Sequence, residues 1–262
     1  MKKKPAFFWK SVVWGIFLFV LAGSVSALDQ GQLGKYETFF LADAGCHDPE
    51  TLLRRSAELS GLLSPENPAP EEFLSALRLG ILYHNLSLHG TEKGYRGYAE
   101  KAAGILSKLY HHPGLPEELR PISGAYLGSS LALAGGEALN PLTKIKRVKE
   151  GLKYLDAVVK KYGRDSYYPL LLRGNVGMAL PSFFNREKTA VKDFLRLEQW
   201  YNREPERIPA GIMSSVFLQL GNYYKKEKKT AEAVRYWQKA YQLDPAGEAG
   251  VQAKALLELF AG

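Results

Sequence analysis

Reactive side chains are scarce in this sequence. It has a single cysteine, Cys46. One thiol cannot form an intramolecular disulfide or a thiolate metal site, so the fold must rest on its apolar core. Cys46 itself reads as a small core-type residue. There are five histidines, and none stands in an H-E-x-x-H arrangement. His84 and His89 are spaced poorly for one helix face. His111 and His112 precede Pro113, where a cation complements the end of a helix. No G-x-S-x-G, phosphate-binding loop or dinucleotide fingerprint occurs. Strand signals are nearly absent, with no Asn-Gly or Asp-Gly turn between alternating runs. No low-complexity tract is present, so no long disordered region is expected. Without a nucleophile and base pair or a metal constellation, no enzymatic activity, cofactor or metal is expected.

The formal charge of +8 is misleading. Lys2, Lys3, Lys4 and Lys10 lie in the first 27 residues, which hold no acid, leaving +4 for the rest. That is a surface suited to solubility, not a nucleic-acid footprint. Residues 1–27 read as a Sec-type signal peptide. A basic start is followed by the apolar run Val12 to Ala22 and by small residues, with Val25 and Ala27 at −3 and −1 of a cleavage site. The run is short for a membrane span, which needs about 20 residues. An uncleaved signal anchor is the alternative, and it would be the chain's only membrane element. Ser24 stands where a lipoprotein cysteine would sit. The expected location is therefore extracytoplasmic, in a bacterial periplasm or cell envelope.

After a short segment at 28–48, apolar residues recur at helical spacing throughout. Helix-start signals recur as well, at Asp48-Pro49-Glu50, Ser64-Pro65-Glu66, Asn140-Pro141 and Thr230-Ala231-Glu232. The class is all-α. Leu79-Gly80, Leu127-Gly128, Arg173-Gly174 and Leu220-Gly221 place glycines 46–48 residues apart inside helical segments. Each costs about 1 kcal/mol relative to Ala, a cost that makes sense where a second helix must come close. Each is followed by a stripe on the next helix: Ala102/Leu106/Leu109, Gly151/Leu155/Val158, Ala190/Phe194/Leu197 and Ala233/Trp237/Ala240. The expectation is four helix hairpins near 71–111, 119–162, 167–202 and 212–243. A leading helix at 49–63 and a closing one at 247–261 would cap the array.

Residues 214–247 closely resemble a tetratricopeptide repeat (TPR). Phe217, Leu220-Gly221, Tyr224, Ala233, Trp237, Ala240 and Pro245 fill that family's signature in register. The earlier hairpins are similar in style but longer. Tyr83 keeps the pattern in the first, Leu131 replaces the tyrosine in the second, and Arg173 and Gly177 replace Leu and Tyr in the third. The resemblance implies a TPR-like right-handed superhelix over residues 49–262. Its groove would be lined by the first helix of each pair and would hold a peptide or protein segment. It also implies groove-facing amides at Asn175 and Asn222, each directly after its glycine.

Lys225 and Lys226, about a turn further on, would meet an acidic partner. The aromatic clusters, Tyr168 and Phe183 among them, mark residues 167–201 as an apolar pocket or partner surface. The expected function is an exported scaffold or adaptor binding a protein or peptide, with no nucleic-acid partner. The alternative is a small-ligand binding accessory to a solute transport system, with an enclosed cavity near Phe183 and Tyr168.

Overall fold

The computed structural model describes residues 48–261, apart from 62, 64–67 and 91–93. Residues 1–27, expected to be a signal peptide, lie outside the described residues, as do Cys46, His47 and the helix-start signal at 64–66. Among those described, all regular structure is helical. The ten α-helices are α1 (Pro49–Ser60), α2 (Phe73–Leu88), α3 (Tyr98–His111), α4 (Arg120–Glu137), α5 (Pro141–Tyr162), α6 (Tyr167–Ala179), α7 (Glu187–Arg203), α8 (Ala210–Lys226), α9 (Thr230–Leu243) and α10 (Glu248–Ala261). None is long and apolar enough to cross a membrane.

Local chemistry sets the helix ends. Asp48 accepts from the Thr51 amide at 2.8 Å, and Asn140 accepts from Leu142 at 2.8 Å, each followed by proline at the first helical position. Thr230 behaves differently from its sequence signal, being the first residue inside α9 and not its cap. The reason is the end of α8. Lys228 adopts a left-handed conformation, φ 61°, and the amides of Lys228 and Lys229 return to the Lys225 and Tyr224 carbonyls. This Schellman closure makes the connection so short that α9 starts one residue early. Arg120 ties the next junction, donating to the carbonyls of Tyr110, His112 and Leu115.

The helices pack as antiparallel pairs, α2 with α3, α4 with α5, α6 with α7 and α8 with α9. The second helix of each of the first three pairs also packs on the first helix of the next, and α2, α4 and α6 touch in turn. α1 covers α2 through Leu52, Leu82 and Leu86, and α10 lies against both α8 and α9. One apolar cluster runs from α2 to α10.

The glycine rhythm has a direct counterpart in this packing. Gly80 faces Leu106, Gly128 faces Leu155, Gly174 faces Phe194 and Gly221 faces Trp237, and a Cβ at any of the four would sit under 3.0 Å from its partner. In every pair the partner is the middle member of the stripe, and all four partners are fully buried. Fully burying such a side chain stabilises by about 1.5–3 kcal/mol, so the glycines create sites worth more than their helix cost.

Glu137 joins two pairs. α3 begins after Gly97, which has φ 91° and no side chain to cap the helix. The Glu137 carboxylate at the end of α4 accepts from the Gly97 amide at 2.7 Å and the Ala99 amide at 3.4 Å. Burial pushes this carboxyl above its ordinary range, while the two amides pull the other way. A carboxyl raised in the folded state binds more protons there than in the unfolded chain. Its contribution to stability therefore falls as pH rises from the ordinary carboxylate value through the folded one. Glu137→Gln should flatten that slope, read from urea midpoints between about pH 4 and 7. Glu137→Ala should cost about 1 kcal/mol at neutral pH by uncapping α3.

Candidate functional site

The residues singled out by the sequence do not assemble into one place. Asn175, in the middle of α6, is only 7% exposed. Its side chain is therefore largely covered by the protein's own packing. Asn222 on α8 is exposed, and its Oδ1 accepts from the Trp237 indole at 3.1 Å. Half of that amide is thus spent on orienting the tryptophan that fills the Gly221 notch, while its two N–H donors are not used in this bond.

The two lysines are also engaged within the molecule. Lys226 pairs with Glu187 at 2.6 Å, bridging the end of α8 to the start of α7. Lys225 Nζ lies 4.8 Å from the centre of the Phe260 ring and 5.8 Å from that of Trp237, a cation over two aromatic faces. Both remain exposed. Neighbouring aromatics complete this end. Tyr224 stacks on Tyr236 with ring centres 5.3 Å apart, and the Tyr236 hydroxyl donates to Glu198 at 2.9 Å. Burial and the adjacent Glu198 carboxylate push the Tyr236 phenol well above its ordinary pKa, so it stays a donor.

Tyr168 and Phe183 lie at opposite ends of α6, separated by roughly 17 Å of helix. The structure does not bring these two side chains together. Phe183 is 59% exposed on the turn Ser182–Phe184, its ring against Phe184. Tyr168 is 2% exposed and stacks on Tyr167 at 4.3 Å.

Tyr168 does reach a cavity of about 580 Å³ between the starts of α4 and α6 and the end of α5. Its walls include Glu117, Glu118, Lys161, Tyr162 and Asp165. Lys161 meets Glu117 at 2.9 Å, and the Tyr162 hydroxyl donates to the same Glu117 oxygen at 2.9 Å. The Lys161 and Tyr162 pairing lowers the Glu117 carboxyl, and Tyr162 and Glu117 together hold the Lys161 ammonium cationic. Charged side chains thus stand beside the apolar Leu119, Pro121 and Ile122 in the same lining.

Sequence reading missed two polar constellations. The first is a buried ion network. Arg173 donates from Nε and Nη2 to the two oxygens of Asp193, both at 2.8 Å, and from Nη1 to Asp156 at 3.1 Å. Arg186 closes it on Asp156 at 2.9 Å. Burial opposes the charge on Arg173, but Asp193 and Asp156 more than offset it. The network joins α5, α6 and α7, and it explains why an arginine occupies the position where the repeat pattern has leucine. The signal was present in the placement of Asp156 beside Leu155 and Asp193 beside Phe194.

The second constellation links α2 to α4. His84 Nε2 meets the Ser129 hydroxyl at 2.9 Å, its Nδ1 lies 3.1 Å from Asn85 Oδ1, and its ring packs edge-on to Tyr126 at 4.9 Å. Its members are buried. Among the described residues, no group of three or more histidine, cysteine or acidic side chains is placed to hold a metal ion.

No family model, curated protein or solved structure matches the chain.

Proposed function

We propose that the chain is an exported, TPR-like helical solenoid that holds a protein or peptide segment and serves as a scaffold or adaptor in the cell envelope. The observation that carries this reading is the single packing register repeated through four successive helix pairs. In each, a glycine on the first helix receives the middle residue of a stripe on the second. Units built alike and stacked in chain order turn their first helices toward one continuous face. The signature at 214–247 and the segment at 1–27 support the class of partner and the location.

Asn222 is an exposed amide on the first helix of the last pair, with N–H donors not used in its bond to Trp237. A photo-crosslinking amino acid at position 222 of the full chain, expressed in cells, should yield a discrete adduct with a protein or peptide. The same residue at Lys153, exposed on the second helix α5, should yield none. Equal labelling at both positions, or none at 222, removes the groove assignment.

A second reading, a small-ligand accessory protein, rests on the cavity beside Tyr168. Its lining, with Lys161 and Glu117 beside apolar side chains, suits a small ligand bearing both an amine and an acid.

A further inference from the structure

The connections inside the helix pairs share one end of the molecule. Glu137, closing α4, reaches the first amides of α3, and Arg147 near the start of α5 reaches Glu100 of α3. α5 runs antiparallel to α6, with Asp156 opposite Arg173 and the Ser166 amide bonded to the Tyr162 carbonyl. The turn after α6 therefore returns to the end where α5 begins. Lys226 at the close of α8 pairs with Glu187 at the opening of α7, placing the α8–α9 turn at that end too.

Four of the eight large apolar side chains exposed among the described residues stand on the turns at this end. Leu139 is 79% exposed and Leu142 77%, with Ile145 beside them on the first turns of α5, and Phe183 projects from the next turn along. These residues stand on projecting turns, not on the walls of a groove. Basic residues surround them. Residues 138–149 contain Lys144, Lys146, Arg147 and Lys149 and no acid. Lys146 and Lys149 are exposed and take part in no ion pair among the described residues. Lys188 follows Phe183, and the α8–α9 turn reads Lys225-Lys226-Glu227-Lys228-Lys229.

Apolar points a few ångströms deep, set among lysines, match the interface of an anionic bilayer. The acyl boundary takes the apolar tips, and the headgroups take the ammonium ions. We infer that this edge docks on an anionic lipid surface, holding the folded domain against the membrane independently of the N-terminal segment. It lies on the bilayer and does not cross it, consistent with the lengths of the described helices.

The test reads orientation, so that an apolar N-terminal segment in the same chain cannot mimic the result. Single cysteines replace Leu142, Phe183 or Val251 in the full chain with Cys46→Ser, each labelled with an environment-sensitive fluorophore. Val251 is 54% exposed near the start of α10, at the end of the molecule away from the α8–α9 turn, and serves as the off-edge control. Vesicles of phosphatidylglycerol with phosphatidylcholine should shift the emission of probes 142 and 183 to the blue and expose them to bromolipid quenching. Pure phosphatidylcholine should not, high salt should reverse the effect, and probe 251 should stay aqueous.

Lys146→Gln/Lys149→Gln, read with the probe at 183, should weaken apparent vesicle affinity about tenfold or more. Unchanged circular dichroism would show that this variant still folds. Three results would overturn the inference. The first is aqueous emission from 142 and 183 on anionic vesicles. The second is a shift that ignores lipid charge or appears equally at 251. The third is a shift produced by poly-glutamate but not by vesicles, which would assign the edge to an acidic protein partner.

Discussion

Asp193→Ala will destabilise the fold by about 3–5 kcal/mol, among the largest effects expected of any single polar substitution in this chain. The reason lies in what it leaves behind. Asp193 has a side chain only 6% exposed and supplies two of the three hydrogen bonds between Arg173 and its carboxylates. Without it, a guanidinium that is itself 16% exposed keeps a single bond to Asp156. Arg173→Leu should be comparably harmful, although leucine is what the repeat pattern places there. It strands the Asp193 carboxylate, whose pKa burial already pushes up.

Removing both charges should cost far less. Arg173→Leu/Asp193→Leu should lie within about 1–2 kcal/mol of the parent, since a buried ion pair often does no better than packed hydrocarbon. Asp156→Ala should cost only about 1 kcal/mol, because that side chain is 39% exposed and solvent screens it. Urea denaturation of the parent, Arg173→Leu, Asp193→Leu and the double variant, assembled as a double-mutant cycle, measures the coupling directly. A single Asp193→Ala within about 1 kcal/mol of the parent would mean that the network is not formed.

This network also shows where sequence reading stops. Periodic features are legible because they repeat. The 46–48-residue glycine rhythm and the stripes that follow it pointed to helix pairs, and each stripe contributes its middle residue to the expected glycine. A buried ion network has no period. Asp156, Arg173, Arg186 and Asp193 come from three helices and a turn, and only the placement of the two acids beside stripe residues hints that they meet. Asn175 and Asn222 are alike in sequence, each following a glycine, yet one is buried and the other is exposed and bonded to Trp237. Their surroundings differ because the third and fourth pairs differ in length and in side-chain volume at the notch. Tyr168 and Phe183 were grouped because both fall where the repeat is distorted. Tyr168 opens α6 while Phe183 sits on the turn beyond its other end, so the length of the helix separates them.

The strongest test of the repeated register is to fill its notches. Gly128 and Gly151 sit back to back where α4 crosses α5. A Cβ on Gly151 would meet the Gly128 carbonyl and the Ala132 amide, and one on Gly128 would meet the Gly151 carbonyl as well as Leu155. These obstacles are backbone, so no rotamer change relieves them, and the two helices must part along their length. Gly151→Ala should therefore cost about 3 kcal/mol or more, at the upper end of overpacking effects. Gly174→Ala meets only the Phe194 ring, so Phe194→Leu in the same chain should recover part of its loss.

Helix propensity alone predicts the opposite sign for all of these, since alanine is the better helix former. Gly104 on α3 and Gly136 on α4 supply the internal control. Nothing lies within 4 Å of a Cβ at either position, so Gly104→Ala and Gly136→Ala should stabilise by up to about 1 kcal/mol. Thermal or urea unfolding of the five variants separates the two forces. If Gly151→Ala stabilises as Gly104→Ala does, α4 and α5 are not in close contact, and the shared register that supports a repeat architecture falls with them.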